Sequence, residues 1–334
     1  TGRYSSSKGI LGLRKAQVAY YKRRFNVDLD PENEVIVTLG SKEGLANLAQ
    51  AITSPGDIIL SPNPSYPIHP YGFIIAGASL RHLPAMDHGI FNPDLYLERL
   101  ENSIKDSVPT PVALIVSFPS NPTAQVVNLE FYKELVKIAL KYNVYILSDL
   151  AYAEIFYDNF KPPSILEVSR AKEIAVEFTS MSKTYAMAGW RIGFAVGNPK
   201  LIHALTRIKS YLDYGAFTPV QVASAAALNG PQDCVEEIRN TYQRRRDVLI
   251  ASMARSGWHI PKPQASMFAW APLPEKYKTK SSLEFAKELM LKAEVAVAPG
   301  LAFGEYGEGY VRVGLVENEQ RIRQAAKNIK KLLL

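Results

Sequence analysis

The chain reads as an α/β protein, a mostly parallel sheet flanked by helices, with a smaller α+β unit at its C-terminal end. Three observations predict this. Short apolar, β-branched runs alternate with helical patterns through the first two thirds of the 334 residues. Polar segments follow directly on the ends of several of those runs. After about residue 256 the rhythm changes to strands and helices without that alternation.

In order, Glu34 to Leu39 reads as a strand and Lys42 to Ile52 as the helix after it. Asp57 to Leu60 is a strand, and the proline-rich Ser61-Pro62-Asn63-Pro64-Ser65-Tyr66-Pro67 reads as turns. Val112 to Phe118 is a strand that runs into Pro119-Ser120-Asn121-Pro122-Thr123. Leu129 to Tyr142 has the apolar period of a helix, and Val144 to Ser148 is the next strand. Ile174 to Phe178 and Arg191 to Val196 complete this layer. Glu236 to Met253 reads as one helix leading out of it. Beyond Ser256, strands at Met267 to Ala271, Val295 to Ala298 and Val311 to Leu315 mix with helices at Ser282 to Lys292 and Asn318 to Leu333. The expected division is a large domain over 1–240 and a small one over 241–334.

Composition narrows the function classes. Lys+Arg 39 against Asp+Glu 32 gives a net charge of +7, but the basic residues are scattered rather than blocked. The densest cluster, Arg244-Arg245-Arg246, reads as a solvated helix face, so no nucleic-acid partner is expected. Cys234 is the single cysteine, which rules out an internal disulfide and fits a cytoplasmic protein. No apolar run has the ~18 residues needed to span a bilayer. The five histidines lack metal-ligand spacing, and neither a Walker A pattern nor a strand-borne GxGxxG occurs.

Five polar segments stand just past predicted strand ends: Gly40-Ser41-Lys42, Ser65-Tyr66, Ser120-Asn121, Asp149 to Tyr152, and Ser180 to Lys183. Ligands of open α/β sheets bind outside such ends, so the five point to one pocket. Their chemistry suits pyridoxal phosphate. Lys183 is an amine able to form a Schiff base and then move a proton. Asp149 closes the strand Val144-Tyr145-Ile146-Leu147-Ser148 and can hold a pyridinium nitrogen; a helix N-cap is its other reading. Tyr152 and Asn121 are donors for the phenolic oxygen, and Tyr66 can stack on the ring. Ser41 and Lys42 open a helix, where an anion is favoured, although Ser41 also reads as a plain cap. Ser180, Ser182 and Arg191 add hydroxyls and a guanidinium for the phosphate.

These motifs resemble the fold-type I, pyridoxal-phosphate-dependent aminotransferases of classes I and II, and among them the bacterial alanine (glutamate–pyruvate) group. The likeness runs from Arg3 to the C-terminus. It is carried by Gly40-Ser41-Lys42-Glu43-Gly44-Leu45, Pro62-Asn63-Pro64-Ser65-Tyr66-Pro67-Ile68-His69, Phe118-Pro119-Ser120-Asn121-Pro122-Thr123-Ala124-Gln125, and Ser182-Lys183-Thr184-Tyr185 with Met187-Ala188-Gly189-Trp190-Arg191-Ile192-Gly193-Phe194. The resemblance implies Lys183 as the Schiff-base lysine, Asp149 at the ring nitrogen, and Asn121 and Tyr152 at O3′. It implies Tyr66 on the ring and Ser41, Lys42, Ser180 and Arg191 at the phosphate. It adds Arg312 for the substrate α-carboxylate, with Asn121 and Tyr66 beside the substrate. Tyr4 would reach the phosphate of a neighbouring subunit, which implies a homodimer with shared active sites.

Two departures stand out. Ala124 occupies the place of a common glycine, and relatives carry an N-terminal arm ahead of the Tyr4 region that this chain, which begins at Thr1-Gly2, does not show. No arginine stands near Asp213-Tyr214-Gly215-Ala216 to grip a second carboxylate, so L-alanine with 2-oxoglutarate is the expected pair. Aspartate or LL-diaminopimelate transamination, a C–S lyase, and a non-catalytic binding protein on the same fold are the alternatives.

Overall fold

The computed structural model describes residues 3–86 and 89–333. Seven strands form one sheet: β1 (Val35–Thr38), β2 (Ile58–Asn63), β3 (Ser79–Pro84), β4 (Ala113–Ser117), β5 (Tyr145–Asp149), β6 (Ala175–Ser180) and β7 (Gly193–Gly197). Their order is β1-β7-β6-β5-β4-β2-β3. The run β3-β2-β4-β5-β6 is parallel, and β7 is antiparallel to both of its neighbours.

Both faces are covered, and the strand residues sort by period two. Leu114, Val116 and Ile146 face one side, with apolar residues of α1 (Leu11–Phe25), α4 (Pro93–Lys105), α5 (Leu129–Tyr142) and α8 (Thr218–Asn229). Ala113, Ile115, Leu147, Val176 and Phe178 face the other, against α2 (Ser41–Ile52), α3 (Ile68–Ile75) and α7 (Pro199–Leu212). A short helix, α6 (Met181–Thr184), follows β6.

A second, antiparallel sheet has the order β8-β10-β9, from β8 (Phe268–Pro272), β9 (Ala298–Pro299) and β10 (Tyr310–Gly314). It packs with α9 (Asp233–Arg255), α10 (Ser282–Ala293) and α11 (Glu319–Leu333) around Leu249, Trp258, Phe285, Leu289 and Ile329. Ile155 and Tyr157, from the segment after β5, join this second cluster.

Four expectations change. Ser61–Asn63 is strand rather than turn: β2 stays in parallel register with β3 to its end, with Asn63 opposite Pro84. Of the strand expected over 295–298, only Ala298 pairs, together with Pro299. The last strand of the large sheet starts at Gly193, because Arg191 sits at φ 56°, in the left-handed region. Arg246 is not on a solvated face. Its guanidinium is fully buried, bonded to both Asp158 oxygens at 2.7 and 2.9 Å and to the Pro263 carbonyl at 3.1 Å.

Among the described residues no helix is long and apolar enough to cross a membrane, and no cluster of His, Cys, Asp and Glu could hold a metal.

Candidate active site

The topology gathers the site. The C-terminal ends of β1, β2, β4, β5 and β6 share one edge of the sheet. Because β7 runs the other way, its N-terminal end, with Arg191 just before it, lies at the same edge. A cavity of about 310 Å³ opens there. It is lined by Ser41 and Lys42 at the start of α2, Tyr66 after β2, Asn121 after β4, and Asp149, Ala151 and Tyr152 at the end of β5. Ser180, Ser182 and Lys183 from β6 and α6, Ala188 and Arg191 ahead of β7, and Phe268 and Arg312 from the second sheet close it. Of the residues expected to bind cofactor or substrate, Tyr4 alone is not in this lining; of the five polar segments, Ser65 and Ser120 line a neighbouring pocket instead. Tyr4 is 81% exposed and its ring stacks on Tyr214, centroids 4.3 Å apart.

Lys183 stands on α6, whose start is capped by Ser180: the hydroxyl accepts the Ser182 N–H at 3.1 Å. Burial of the half-covered side chain, then the nearby Arg191 and Arg312 charges, hold the amine below its ordinary pKa. The shift favours the neutral form, the one able to attack a carbonyl or accept a proton.

Asp149 is the last residue of β5 and caps no helix; the chain turns through 151–154 instead. Its Oδ1 accepts the Ala151 N–H at 3.2 Å, and its Oδ2 lies 2.9 Å from Nε2 of His69. His69 is completely buried in the first turn of α3, three residues after Tyr66. It entered the sequence reading only as one letter of a motif. Its spacing from Tyr66 was the available signal: the His69 N–H bonds the Tyr66 carbonyl at 2.9 Å, so one turn serves both side chains.

Asn121 links two parts of the cavity. Its Oδ1 accepts from Arg312 Nη1 at 2.7 Å, and its Nδ2 donates to the Tyr152 hydroxyl at 3.5 Å. Burial pushes the Tyr152 phenol well above its ordinary pKa, which keeps it a donor. Arg312 projects from β10 with its guanidinium 4.1 Å from the Phe268 ring centroid and 4.6 Å from that of Phe303. Burial holds it below its ordinary value. Phe268 also meets Tyr152 edge-on at 5.8 Å. The two phenylalanines are absent from the sequence reading, because the contact exists only once β8 and the segment Gly300–Phe303 flank β10.

Just before α2, Gly40 has φ 85°, and Arg191 lies in the space a side chain there would fill. Ser41 is the first helical residue of α2 and not its cap. Arg191 donates to the carbonyls of Ala188 at 2.8 Å and Leu39 at 3.1 Å. Gly193 lets β7 press against this turn, since a Cβ would lie 2.6 Å from the Ser41 nitrogen. Among the described residues, the hydroxyls of Ser41 and Ser182 and the amines of Lys42 and Lys183 bond no protein group. Unengaged donors around a helix N-terminus, a histidine-held carboxylate and a neutral-leaning amine, all lining the same cavity, fit pyridoxal phosphate in charge and in chemistry.

Comparisons with known proteins place the whole chain in one family. The sequence matches the family Aminotransferase class I and II over residues 1–329. AatC of Rhizobium meliloti is 59% identical over the full chain and 81% of its own length. The glutamate-pyruvate aminotransferase AlaC of Escherichia coli is 54% identical, over 98% of this chain and 78% of that one. An LL-diaminopimelate aminotransferase of Aquifex aeolicus is 44% identical over 99% of this chain and 84% of that one. An aminotransferase structure from Staphylococcus aureus superposes with a TM-score of 0.91 at 31% identity, covering 99% of this chain and 85% of that chain.

Proposed function

We propose that this chain, which belongs to the class I and II aminotransferases and uses pyridoxal phosphate, moves an amino group between L-alanine and 2-oxoglutarate. The observation that carries the reading is one cavity in which the Lys183 amine, the Asp149 carboxylate and the Arg312 guanidinium converge.

Arg312 binds the substrate α-carboxylate through a two-point fork, oriented by Asn121 and by the faces of Phe268 and Phe303. Pyridoxal phosphate, when bound, supplies an aldehyde to carry the nitrogen and a ring to take up the electron pair left at Cα. Asp149, backed by His69, presents negative charge to the ring nitrogen. Tyr152 and Asn121 serve the ring oxygen, and Tyr66 lies along the ring. Ser41, Lys42, Ser180, Ser182 and Arg191 hold the phosphate. Lys183 would take the proton from the substrate Cα and deliver it to the cofactor carbon that carried the aldehyde, and with an oxo-acid acceptor would move it back the other way, which gives the ping-pong sequence of donor then acceptor.

A small donor is supported by Phe268 on the cavity wall and by the absence of a basic residue in Asp213-Tyr214-Gly215-Ala216. The similarity to AlaC, a glutamate-pyruvate aminotransferase, supports the same choice. We also infer a homodimer: Tyr4, Tyr211, Tyr214 and Phe217 are exposed aromatic residues, and Tyr4 would serve the partner's phosphate. The separate apolar clusters support a division into domains 1–240 and 241–334. The lone, exposed Cys234 accords with a cytoplasmic setting.

Titrating the cofactor-loaded protein with amino acids, while following cofactor absorbance, tests the assignment. L-alanine and L-glutamate should convert it most efficiently. Preference for L-aspartate or LL-diaminopimelate over L-alanine overturns the substrate choice, and conversion by no amino acid overturns the activity.

A further inference from the structure

We propose that Lys209, which lies outside the cavity, is a positioning residue for the phosphate end of the site. The inference rests on the placement of the phosphate proposed above. The Lys209 side chain is completely shielded from solvent. Its ammonium lies 2.7 Å from Glu43 Oε1 and 2.8 Å from Asp213 Oδ2. A lysine is seldom buried so fully, and it stays buried only when paired.

The contacts lead from this ammonium to the cavity. Glu43 is the third residue of α2; the first two, Ser41 and Lys42, line the cavity. While Oε1 faces Lys209, Oε2 accepts the Leu39 N–H at 2.8 Å. The Leu39 carbonyl in turn receives Arg191 Nη2 at 3.1 Å. Lys209 thus steadies Glu43, Glu43 steadies the turn at Leu39, and that turn holds the arginine of the phosphate end. Charge works in the same direction. Glu43 puts a negative charge on the helix end where a phosphate would sit, and two anions compete for one N-terminal field. Lys209 offsets that charge from inside the fold. Asp213 holds the ammonium from its far side, and its backbone carbonyl accepts the Ser7 hydroxyl at 2.7 Å.

A lysine that only fastened α7 to α2 would change stability without distinguishing ligands that carry a phosphate from ligands that do not. The test uses the full-chain protein, stripped of cofactor and titrated by absorbance with pyridoxal phosphate and with pyridoxal, which has the ring and aldehyde but no phosphate. In Lys209→Met, affinity for pyridoxal phosphate should fall roughly tenfold or more, the scale on which supporting contacts act at other sites, while affinity for pyridoxal stays within about twofold. Equal losses on both ligands, or loss on neither, overturn the proposal. Glu43→Gln guards against a misfolded first variant. It keeps an acceptor for Leu39 and leaves Lys209 paired with Asp213, so pyridoxal phosphate affinity should hold within about threefold or rise, and a larger loss overturns the charge argument. Wild-type protein that bound no pyridoxal phosphate would end the cofactor assignment itself, and this inference with it.

Discussion

Arg312→Lys isolates the substrate end of the site. The guanidinium is held at 4.1 and 4.6 Å from two phenylalanine rings and anchored on Asn121 at 2.7 Å. Lysine keeps the charge but loses the planar fork. It offers one strong bond to a carboxylate instead of two and gives up stacking that contributes about 1 kcal/mol in a half-buried setting. One lost charge-assisted hydrogen bond is about 2 kcal/mol. The combined loss, about 3 kcal/mol, corresponds to roughly a hundredfold in kcat/KM. It should appear with both amino acids and 2-oxo acids, since both carry the α-carboxylate. Cofactor absorbance and pyridoxal phosphate affinity should stay close to wild type, because Arg312 contacts Asn121, Phe268 and Phe303 and none of the residues assigned to the phosphate. Steady-state kinetics with L-alanine and with pyruvate, beside a cofactor titration, read both quantities. A kcat/KM within about threefold of wild type, or a loss confined to cofactor binding, would refute the assignment of Arg312.

Three further outcomes follow from burial and charge. Lys183 is held below its ordinary pKa by burial and two arginines, so its cation destabilises the cofactor-free fold at neutral pH, and the cost lifts as pH rises through the lowered value toward 10.5. Lys183→Met should therefore raise the Tm of the cofactor-free protein near pH 7, by an amount that shrinks in alkaline buffer; a gain that grows with pH contradicts this. Burial pushes the Glu177 carboxyl up to about 7 from 4.5, despite its bonds to Tyr21, Ser148, Ser164 and Ile165. Its contribution is greatest below 4.5 and falls by about 3 kcal/mol as pH rises to about 7, so Glu177→Gln should flatten the denaturation free energy across that window, and an unchanged slope excludes the cause. Arg246→Met strands Asp158, itself half-exposed, and should cost about 2 kcal/mol in chemical denaturation; a neutral result would show that the buried guanidinium is dispensable.

Local signals account for much of what the sequence revealed. α5 matches its expected span because Asn128 caps one end, accepting the Phe131 N–H at 3.0 Å, and Asn143 ends it at φ 55°. Lys183, Asp149 and Arg191 stand next to strand ends, so motif and geometry coincide. What stayed hidden depends on distant partners. Ser61-Pro62-Asn63 has the composition of a turn and becomes strand only beside β3, an edge strand whose mixed exposure gives no clean alternation. The direction of β7 is invisible in a run of apolar residues, yet it brings Arg191 to the cavity edge. Arg246 looked like one of three surface arginines until Asp158 and Pro263, far along the chain, enclosed it. Lys209 carries no local mark and His69 only its spacing from Tyr66, and packing alone shows which carboxylates they meet.

The most direct measurement is to reduce the cofactor-loaded protein with borohydride, digest it, and locate the pyridoxyl group by mass spectrometry. The label is expected on Lys183 alone, in the peptide Met181-Ser182-Lys183-Thr184. A label on another lysine, or none on Lys183 at full cofactor loading, would contradict the assignment of the cavity and every role built around it.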